Sequence, residues 1–411
     1  MARTKAKLNG GVRASDYISL GVLMKIISPE AVNTALEAAG VSTLRRRKLP
    51  LDFMVYYVVC LSLYSGVSLG EVQRCLLEGM GWINPKLSRF YLSCKAGLSQ
   101  ARSRLGVLSL KHLFEAVCQP LATERTKGCW YRKWLLVSID GSSLEVPDEK
   151  ANDACFGRPP QSRGRTAFPR LRFAALLELG TRAIIGAAMG SYRTGELTLT
   201  RELFPKLKRN MLCIVDRGFF GYRFYNDAIS TPAAWLFRVR KDILFPCFER
   251  LPDGSFLSKI YASAKDRRRE LNGITVRVIE YRLNGIKGTQ EKYILVTNIL
   301  KWEEAPAIEL AALYHERWEI ETAYDEMKSH LSFTGGALRS KKPELVEQEF
   351  YGFLLAHYVI RNVMFQAAMR SDQDPDTLSF IHAIRVIKRK ITSMRFSPDG
   401  NGNGEFAKAD Y

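Results

Sequence analysis

The chain has 411 residues, of which 46% are hydrophobic and 11% aromatic; this is enough apolar material for two or three folded domains and excludes a chain that is disordered as a whole. Its 61 Lys and Arg against 42 Asp and Glu leave a formal charge of +19, so nucleic acid is the leading class of partner. A basic surface that only confers solubility, or that meets acidic lipid, is the alternative.

Signals for export or membrane insertion are weak in this sequence. The eight cysteines are scattered singly, without zinc-binding spacing, as is typical of reduced core residues in a cytosolic protein. The basic start, MARTKAKLNGGVR, lacks the apolar run of a signal peptide. The most apolar stretch, at 53–69, is shorter and more polar than a membrane span. We therefore expect a cytoplasmic protein without a membrane partner.

Residues 15 to about 125 show helical patterns with visible caps. Ser28 precedes Pro29, the arrangement of an N-cap followed by a first-turn proline, and Ser68 with Glu71 has the form of a capping box. We predict an all-helical N-terminal DNA-binding domain over residues 1–130. Its basic clusters at 45–48 and 100–104 could follow a DNA backbone or be solvated faces.

From residue 134 the pattern changes to short apolar runs. These predict strands at 134–140, at 172–190 (two strands joined at Gly180), at 211–216 and at 234–239, with helices over 195–210 and 221–230. Alternating runs with glycine turns predict a β-rich insertion at about 241–300. Helix resumes near residue 305, and a long apolar helix covers about 344–370. The fold class is α/β, with a catalytic domain at 131–340 and a helical C-terminal region and tail at 341–411.

Two of the predicted strands end in an aspartate. Asp140 follows LLVSI before a glycine, and Asp216 follows LCIV before Arg217 and Gly218. An aspartate just beyond a buried strand emerges at the carboxyl edge of a sheet, where it can face solvent and metal. A single Asp-Gly after a strand is more often a turn, but two such aspartates indicate a site.

The stretch YHERWEIETAYDEMKSHL, at 314–331, sorts its residues by face when it is placed on an α-helix at about 100° per residue. With Tyr314 at 0°, Arg317, Glu321 and Lys328 fall within an arc of about 60°. The neighbouring arc is an apolar stripe that would pack on a sheet: Leu313, Ile320, Tyr324, Met327 and Leu331. Glu316, Glu319 and Glu326 fall on the opposite face, which we expect to be solvated.

A carboxylate flanked by cations suits a metal and phosphate site, since divalent cations take oxygen ligands and phosphate charge suits Arg, Lys and a tyrosine hydroxyl. Asp325, near Glu321 on the helical wheel, is a weaker candidate for the acidic role. The alternative is an amphipathic helix with favourable side-chain pairs.

The spacing of Tyr314, Arg317, Glu321 and Lys328 resembles the Y-R-E-K signature of bacterial insertion-sequence transposases of the IS-four family. DGSSLEVPD at 140–148 and DRGFFGY at 216–222 resemble the segments around that family's two catalytic aspartates. The resemblance implies an RNase H-like catalytic domain in which Asp140, Asp216 and Glu321 are the catalytic, metal-binding DDE triad. It further implies that Tyr314, Arg317 and Lys328 contact DNA phosphates.

What the resemblance implies for function is metal-dependent cleavage at terminal inverted repeats, followed by strand transfer to target DNA. Two Mg²⁺ ions are expected, with Mn²⁺ possible. The expected partners are double-stranded DNA and a second copy of the chain in a synaptic homodimer, at the bacterial nucleoid. A structure-selective RNase H-like nuclease and a catalytically inactive, domesticated DNA-binding protein are the alternatives.

Overall fold

The computed structural model describes residues 20–41, 49–64, 67–83, 93–160, 168–282, 292–331 and 337–389. The described residues up to 117 fold as helices: α1 (Leu20–Ile26), α2 (Pro29–Ala38), α3 (Leu51–Leu63), α4 (Leu69–Ile83) and α5 (Lys95–Val117). The predicted caps are present, because Ser28 Oγ and Ser68 Oγ each accept a backbone N–H three residues later, at 3.2 Å. The basic cluster at 45–48 lies outside the described residues.

The middle of the chain alternates strands and short helices. In chain order these are β1 (Trp130–Tyr131), β2 (Trp134–Glu145), α6 (Lys150–Phe156), β3 (Arg170–Glu178), β4 (Ala183–Ser191), α7 (Glu196–Arg201), β5 (Met211–Val215), α8 (Tyr222–Ile229) and β6 (Ala234–Val239). The region predicted as β-rich holds β7 (Glu249–Arg250), β8 (Phe256–Ile260), α9 (Ala264–Arg269), β9 (Ile274–Arg282) and β10 (Lys292–Thr297).

Helices return after β10. They are α10 (Ala307–Leu313), α11 (Trp318–Asp325), α12 (Pro343–Ser371) and α13 (Phe380–Arg389). A 3₁₀ segment (Tyr314–Arg317) precedes α11, and a π-helical segment (Glu326–Leu331) follows it. The predicted long apolar helix at about 344–370 is confirmed as α12.

All strands of the described chain join one mixed sheet. Its order is β4-β3-β2-β5-β6-β10-β9-β8-β7, with β1 paired to β2. β2 and β5, and β5 and β6, pair in parallel, whereas the remaining neighbours are antiparallel. β10 pairs with β6, so the strands of the β-rich region extend this sheet. The predicted α/β class is confirmed as a mixed sheet with helices.

The central strands are apolar because both of their faces are covered. Residues 134–139 of β2 and the whole of β5 are buried, as parallel strands in the middle of a sheet require. α12 packs against α3 and α5. At the α12–α3 crossing, an ideal Cβ on Gly352 would lie 2.8 Å from Val58 Cγ1 and 2.9 Å from Val58 O. Helices from both ends of the chain therefore share one interior.

Arg102 is part of that shared interior. It is 5% exposed and donates hydrogen bonds to Ser340 Oγ at 3.0 Å and to the Leu345 carbonyl at 2.6 Å. Both interpretations open for the 100–104 cluster, a DNA-facing surface and a solvated face, are therefore wrong for Arg102, although Arg104 is exposed. The sequence shows only a basic residue on a helix, and α12 decides which side of that helix is covered.

None of the helices among the described residues is long and apolar enough to span a membrane.

Candidate active site

The two predicted aspartates lie on neighbouring parallel strands, but only one of them ends its strand. Asp216 follows β5 directly. Asp140 lies inside β2, which continues to Glu145 by pairing with β3, so the predicted strand end at residue 140 is wrong. The parallel pairing of β2 with β5 stops at Ser138 and Ile214. Asp140 is thus beyond the end of the parallel ladder, and both carboxylates lie on the same edge of the sheet.

Segment 314–331 is not one regular α-helix. It passes from 3₁₀ to α to π geometry along its length, so the uniform angle of about 100° per residue does not hold over its whole length. The predicted apolar stripe is nevertheless buried at Ile320, Tyr324, Met327 and Leu331. Tyr324 packs its ring edge on Phe173 of β3 and donates a 2.6 Å hydrogen bond to the Asp140 carbonyl. This contact fixes the segment against β2.

The expectation of a solvated acidic face is correct for one glutamate and wrong for two. Glu316 is exposed, whereas Glu319 and Glu326 are only 6% and 5% exposed. Glu319 accepts the Gly180 N–H of the β3–β4 turn at 2.7 Å, and Glu326 accepts Arg361 of α12. A helical wheel represents one helix in isolation, so it does not include the β3–β4 turn and α12, which cover this side of the segment.

Two of the four signature residues contact carboxylates, and a third, Glu321, is one of those carboxylates. The Tyr314 hydroxyl donates to Asp216 Oδ1 at 3.4 Å, and Arg317 NH2 donates to Glu321 Oε1 at 2.9 Å. Tyr314 and Arg317 are 2% and 5% exposed, while the Glu321 side chain is 44% exposed. The Arg317 Nε has no hydrogen-bond partner, so the guanidinium keeps a donor for a further anion.

The fourth signature residue reaches β2. Lys328 Nζ donates to Ser142 Oγ, two residues beyond Asp140, and lies 5.7 Å from the centroid of the Tyr324 ring. The structure therefore brings the six predicted residues together on one edge of the sheet, with Lys328 beside Asp140 and with Tyr314, Arg317 and Glu321 toward Asp216.

Charge is crowded around Asp140. Burial raises the pKa of Asp140 to about 6, and the negative charges of Glu196 and Asp216 act in the same direction. The Gly141 N–H, 2.8 Å from Asp140 Oδ1, and the Arg317 guanidinium oppose the shift. Burial lowers the pKa of Arg317, but the charges of Tyr314 and Asp216 and the pair with Glu321 raise it overall. Arg317 is thus the cation that the three acidic positions share.

Glu196 is an acidic neighbour that the sequence reasoning missed. It opens α7, and an ideal Cβ on Gly141 would lie 2.2 Å from Glu196 Oε1 and 2.6 Å from its Cγ. The missing side chain at Gly141 therefore makes room for Glu196 beside Asp140. Its only sequence signal is an acidic residue at the start of a predicted helix, which is common at helix N-termini.

The donor atoms at this edge are carboxylate oxygens, the ligands that hard divalent cations take. Across the described ranges of the chain, no group of three or more Asp, Glu, His or Cys side chains is gathered closely enough to hold a metal ion. Glu321 is instead paired with Arg317. The residue types fit a divalent cation, and Glu321 has to approach the two aspartates to join such a site.

Acidic side chains on adjacent strands, with a helix-borne glutamate linked to them through a buried Arg, are residue types that enzymes of phosphoryl transfer use. Residues 134–359, just over half of the chain, match the transposase DDE domain family, and residues 17–115 match the N-terminal domain of insertion element 4 transposases. The chain therefore belongs to the DDE transposase family. It is a DNA transposase, an enzyme class that works with divalent metal ions.

Two transposases of Escherichia coli agree in sequence with the family assignment. The chain is 28% identical over 380 residues to the transposase InsG for insertion sequence element IS4 of Escherichia coli K12, covering 91% of this chain and 83% of InsG. It is 28% identical to the putative transposase InsZ of the same organism, over 46% of this chain and 61% of InsZ. A solved piggyBac transposase synaptic complex with hairpin DNA aligns with a TM-score of 0.45 and 13% identity, covering 92% and 80% of the two chains.

Proposed function

We propose that Asp140, Asp216 and Glu321 are the catalytic triad of an RNase H-like domain that cleaves DNA at transposon ends and joins those ends to target DNA. The observation that carries this proposal is the contact set across the sheet edge. Asp140 and Asp216 extend from adjacent parallel strands, and Glu321 is linked to them through Arg317. In the order β4-β3-β2-β5-β6, only β3 runs opposite to the other four strands, and this supports the RNase H-like assignment.

The three carboxylates would hold two Mg²⁺ ions, with Mn²⁺ as a possible substitute. When bound, these ions supply an activated oxygen nucleophile and stabilise the oxygen that leaves. Asp140 contributes a carboxylate whose ionised form is disfavoured by its surroundings, and a divalent cation would relieve that crowding of negative charge. Glu321 would exchange its partner, Arg317, for the ion.

Tyr314, Arg317 and Lys328 would hold DNA phosphates near the cut. Arg317 has a buried Nε without a partner, and a guanidinium binds phosphate through two parallel hydrogen bonds. Lys328 supplies a positive charge beside Asp140. Tyr314 is held by Asp216 and carries a hydroxyl that burial keeps protonated, since burial raises its pKa to about 12.

The proposal extends to the wider assembly through the family to which the chain belongs. The DNA partners would be the terminal inverted repeats of the element and a target duplex, and two copies of the chain would form the synaptic homodimer. Residues 1–130 would serve DNA binding, 131–340 catalysis, and 341–411 would form a C-terminal region. A transposase of this kind would act in the bacterial cytoplasm, at the nucleoid.

The test is cleavage of a labelled duplex that carries the inverted repeat flanking the gene, in the presence of Mg²⁺. We expect wild type to cut at the repeat boundary, and Asp140→Asn, Asp216→Asn and Glu321→Gln each to lower the rate by at least about 10³-fold, because each removes a negatively charged ligand. Binding of the duplex should persist in all three variants, since none of them loses a cation.

Asp325→Asn is the matched control. Asp325 lies four residues after Glu321, its side chain is 65% exposed, and it accepts the Ser329 hydroxyl. Its loss should leave the rate within about twofold, as expected for an exposed residue outside the site. Normal cleavage by Glu321→Gln would refute the triad. Cleavage without regard to the repeat sequence would assign the same site to a nuclease.

A further inference from the structure

A buried ion cluster connects the signature segment to α12. Glu326 Oε2 accepts Arg361 Nε at 2.9 Å, Glu326 Oε1 accepts Arg361 NH2, and His357 Nε2 lies 3.3 Å from Glu326 Oε2. The three residues are 5%, 1% and 0% exposed. His357 and Arg361 are one turn apart on α12, so they approach Glu326 together. We name these three residues the 326 clamp.

The surroundings of the 326 clamp shield it from water and add a second guanidinium group beside Glu326. Phe380 of α13 covers it, with its ring 5.3 Å from the Arg361 guanidinium and 5.4 Å from the His357 ring. Arg182, in the β3–β4 turn, lies 3.7 Å from Glu326 Oε1. A buried carboxylate with this set of partners has one strongly preferred geometry, because an Arg fork fixes both of its oxygens.

Glu326 is also the first residue of the π-helical segment. π geometry is rare and appears mostly as single turns, frequently at functional sites, where something outside the helix holds it. Lys328 lies two residues later, inside the same turn, and its Nζ reaches Ser142 beside Asp140. A return of this turn to α geometry would rotate Lys328 away from β2, because the two forms differ in rotation per residue.

We infer that the 326 clamp holds the π-helical turn in place and thereby aims Lys328 at the edge of the sheet where Asp140 lies. Glu326 is a positioning residue in this role, and it acts through Lys328 rather than on DNA. Buried ion pairs are weak sources of net stability but can specify the register of one element against another. The inference rests on the proposed role of Lys328 at the DNA-cleaving site.

The test is a double-mutant cycle in the cleavage assay with the inverted-repeat duplex. Lys328→Ala and Arg361→Lys are made singly and together; Arg361→Lys keeps the cation but loses the fork that grips Glu326. We expect each single variant to lower the cleavage rate by about tenfold or more. The double variant should be no slower than the slower of the two single variants, which corresponds to a coupling of about tenfold between the two positions. If the rate reductions of the two single variants multiply in the double variant, the inference is overturned. Independent effects would mean that Arg361→Lys damages the fold in general and does not act through Lys328.

Glu319→Gln is the matched control in a second cycle with Lys328→Ala. Glu319 is equally buried, on the same segment, and 3.5 Å from Arg182, but it contacts the β3–β4 turn and lies outside the π-helical turn. Its effect should multiply with that of Lys328→Ala. Coupling as strong as that of Arg361→Lys would overturn a specific role for the 326 clamp.

A second measurement does not depend on DNA cleavage. The acetylation rate of the Lys328 amine is measured by mass spectrometry in folded wild type, Arg361→Lys, Glu326→Gln and Glu319→Gln, well below each unfolding midpoint. Release of Lys328 from Ser142 changes both its exposure and its pKa, which burial lowers, so the rate should change several-fold in Arg361→Lys and Glu326→Gln and stay the same in Glu319→Gln. An acetylation rate that is the same in all variants would refute the role of the 326 clamp in positioning Lys328. This outcome is distinct from the test of the triad, which depends on DNA cleavage.

Discussion

At the scale of single residues, two buried glutamates of segment 314–331 have pKa values that are shifted in opposite directions. Burial raises the pKa of Glu319 to about 7, although the Gly180 N–H and the charge of Arg182 both act to lower it. Burial would also raise the pKa of Glu326, but the His357 hydrogen bond and the Arg361 charge bring it down to about 2. The difference follows from the Arg fork, which only Glu326 has. Sequence position predicts neither value, since the partners lie on distant elements.

Glu319→Gln should change how stability depends on pH. Because the folded pKa of Glu319 lies above its ordinary value of 4.5, its contribution is fully present below pH 4.5 and is lost as pH rises through 7. Wild type should therefore lose about 2 kcal/mol relative to Glu319→Gln between pH 4.5 and 7.5. Urea unfolding of both proteins across this range gives the difference.

Glu316→Gln controls for the loss of one charge, because Glu316 is exposed on the same segment. Its stability difference from wild type should stay within about 0.5 kcal/mol at every pH. Parallel pH profiles for wild type and Glu319→Gln would contradict the burial of Glu319.

At the scale of elements, the apolar patterns predicted most helices and strands because burial and periodicity are properties of each segment. β5, β6, α8 and α12 lie where the patterns place them. β2 is longer than predicted, since its polar second half is held by pairing with β3 rather than by burial. The π-helical turn was not predictable, because the contacts that accompany it come from α12. The close helix contact at Gly352 is likewise set by a partner element.

Gly352→Ala should destabilise the protein although alanine favours helix. The added Cβ would meet the Val58 carbonyl at 2.9 Å, and backbone atoms inside a packed helix pair cannot move away freely. We expect a loss of about 1–3 kcal/mol in the free energy of unfolding, the usual cost of overpacking. Chemical denaturation at neutral pH measures it.

Gly70→Ala is the comparison for this substitution. Gly70 lies in α4, and an ideal Cβ added there would have no atom within 4 Å. Alanine should therefore stabilise the folded protein by about 0.4–1 kcal/mol, because it reduces the conformational entropy of the unfolded chain. Equal effects at positions 70 and 352 would show that helix propensity, and not the α12–α3 crossing, governs Gly352.

At the scale of the whole molecule, α12 contacts both the N-terminal helices and segment 314–331. α12 lies against α3 and α5 and holds Arg102 of α5 through the Leu345 carbonyl. The same helix supplies Arg361 and His357 to the signature segment. One helix thus connects the N-terminal helices with the candidate active site, while the boundaries at residues 130 and 340 remain predictions.

We expect the protein to unfold in a single transition. Shared burial along α12 makes the N-terminal helices and the sheet stabilise each other, so far-UV circular dichroism and tryptophan fluorescence should give the same urea midpoint. A chain that ends at residue 340 should fail to fold, whereas a chain that ends at residue 389, which keeps every described element, should fold. Two separate transitions would show that the predicted N-terminal domain is independent.

The amino-acid sequence by itself determined the α/β class, the family signature and the identities of Asp140, Asp216, Glu321, Tyr314, Arg317 and Lys328 as candidates, because periodicity and motif spacing are local. Only the tertiary structure decided that Asp140 lies inside a strand, that Glu196 enters beside Gly141, and that Glu319, Glu326 and Arg102 are buried. The physical reason is common to all of these findings. Each depends on which other element covers a residue, and that is fixed only when distant segments pack together.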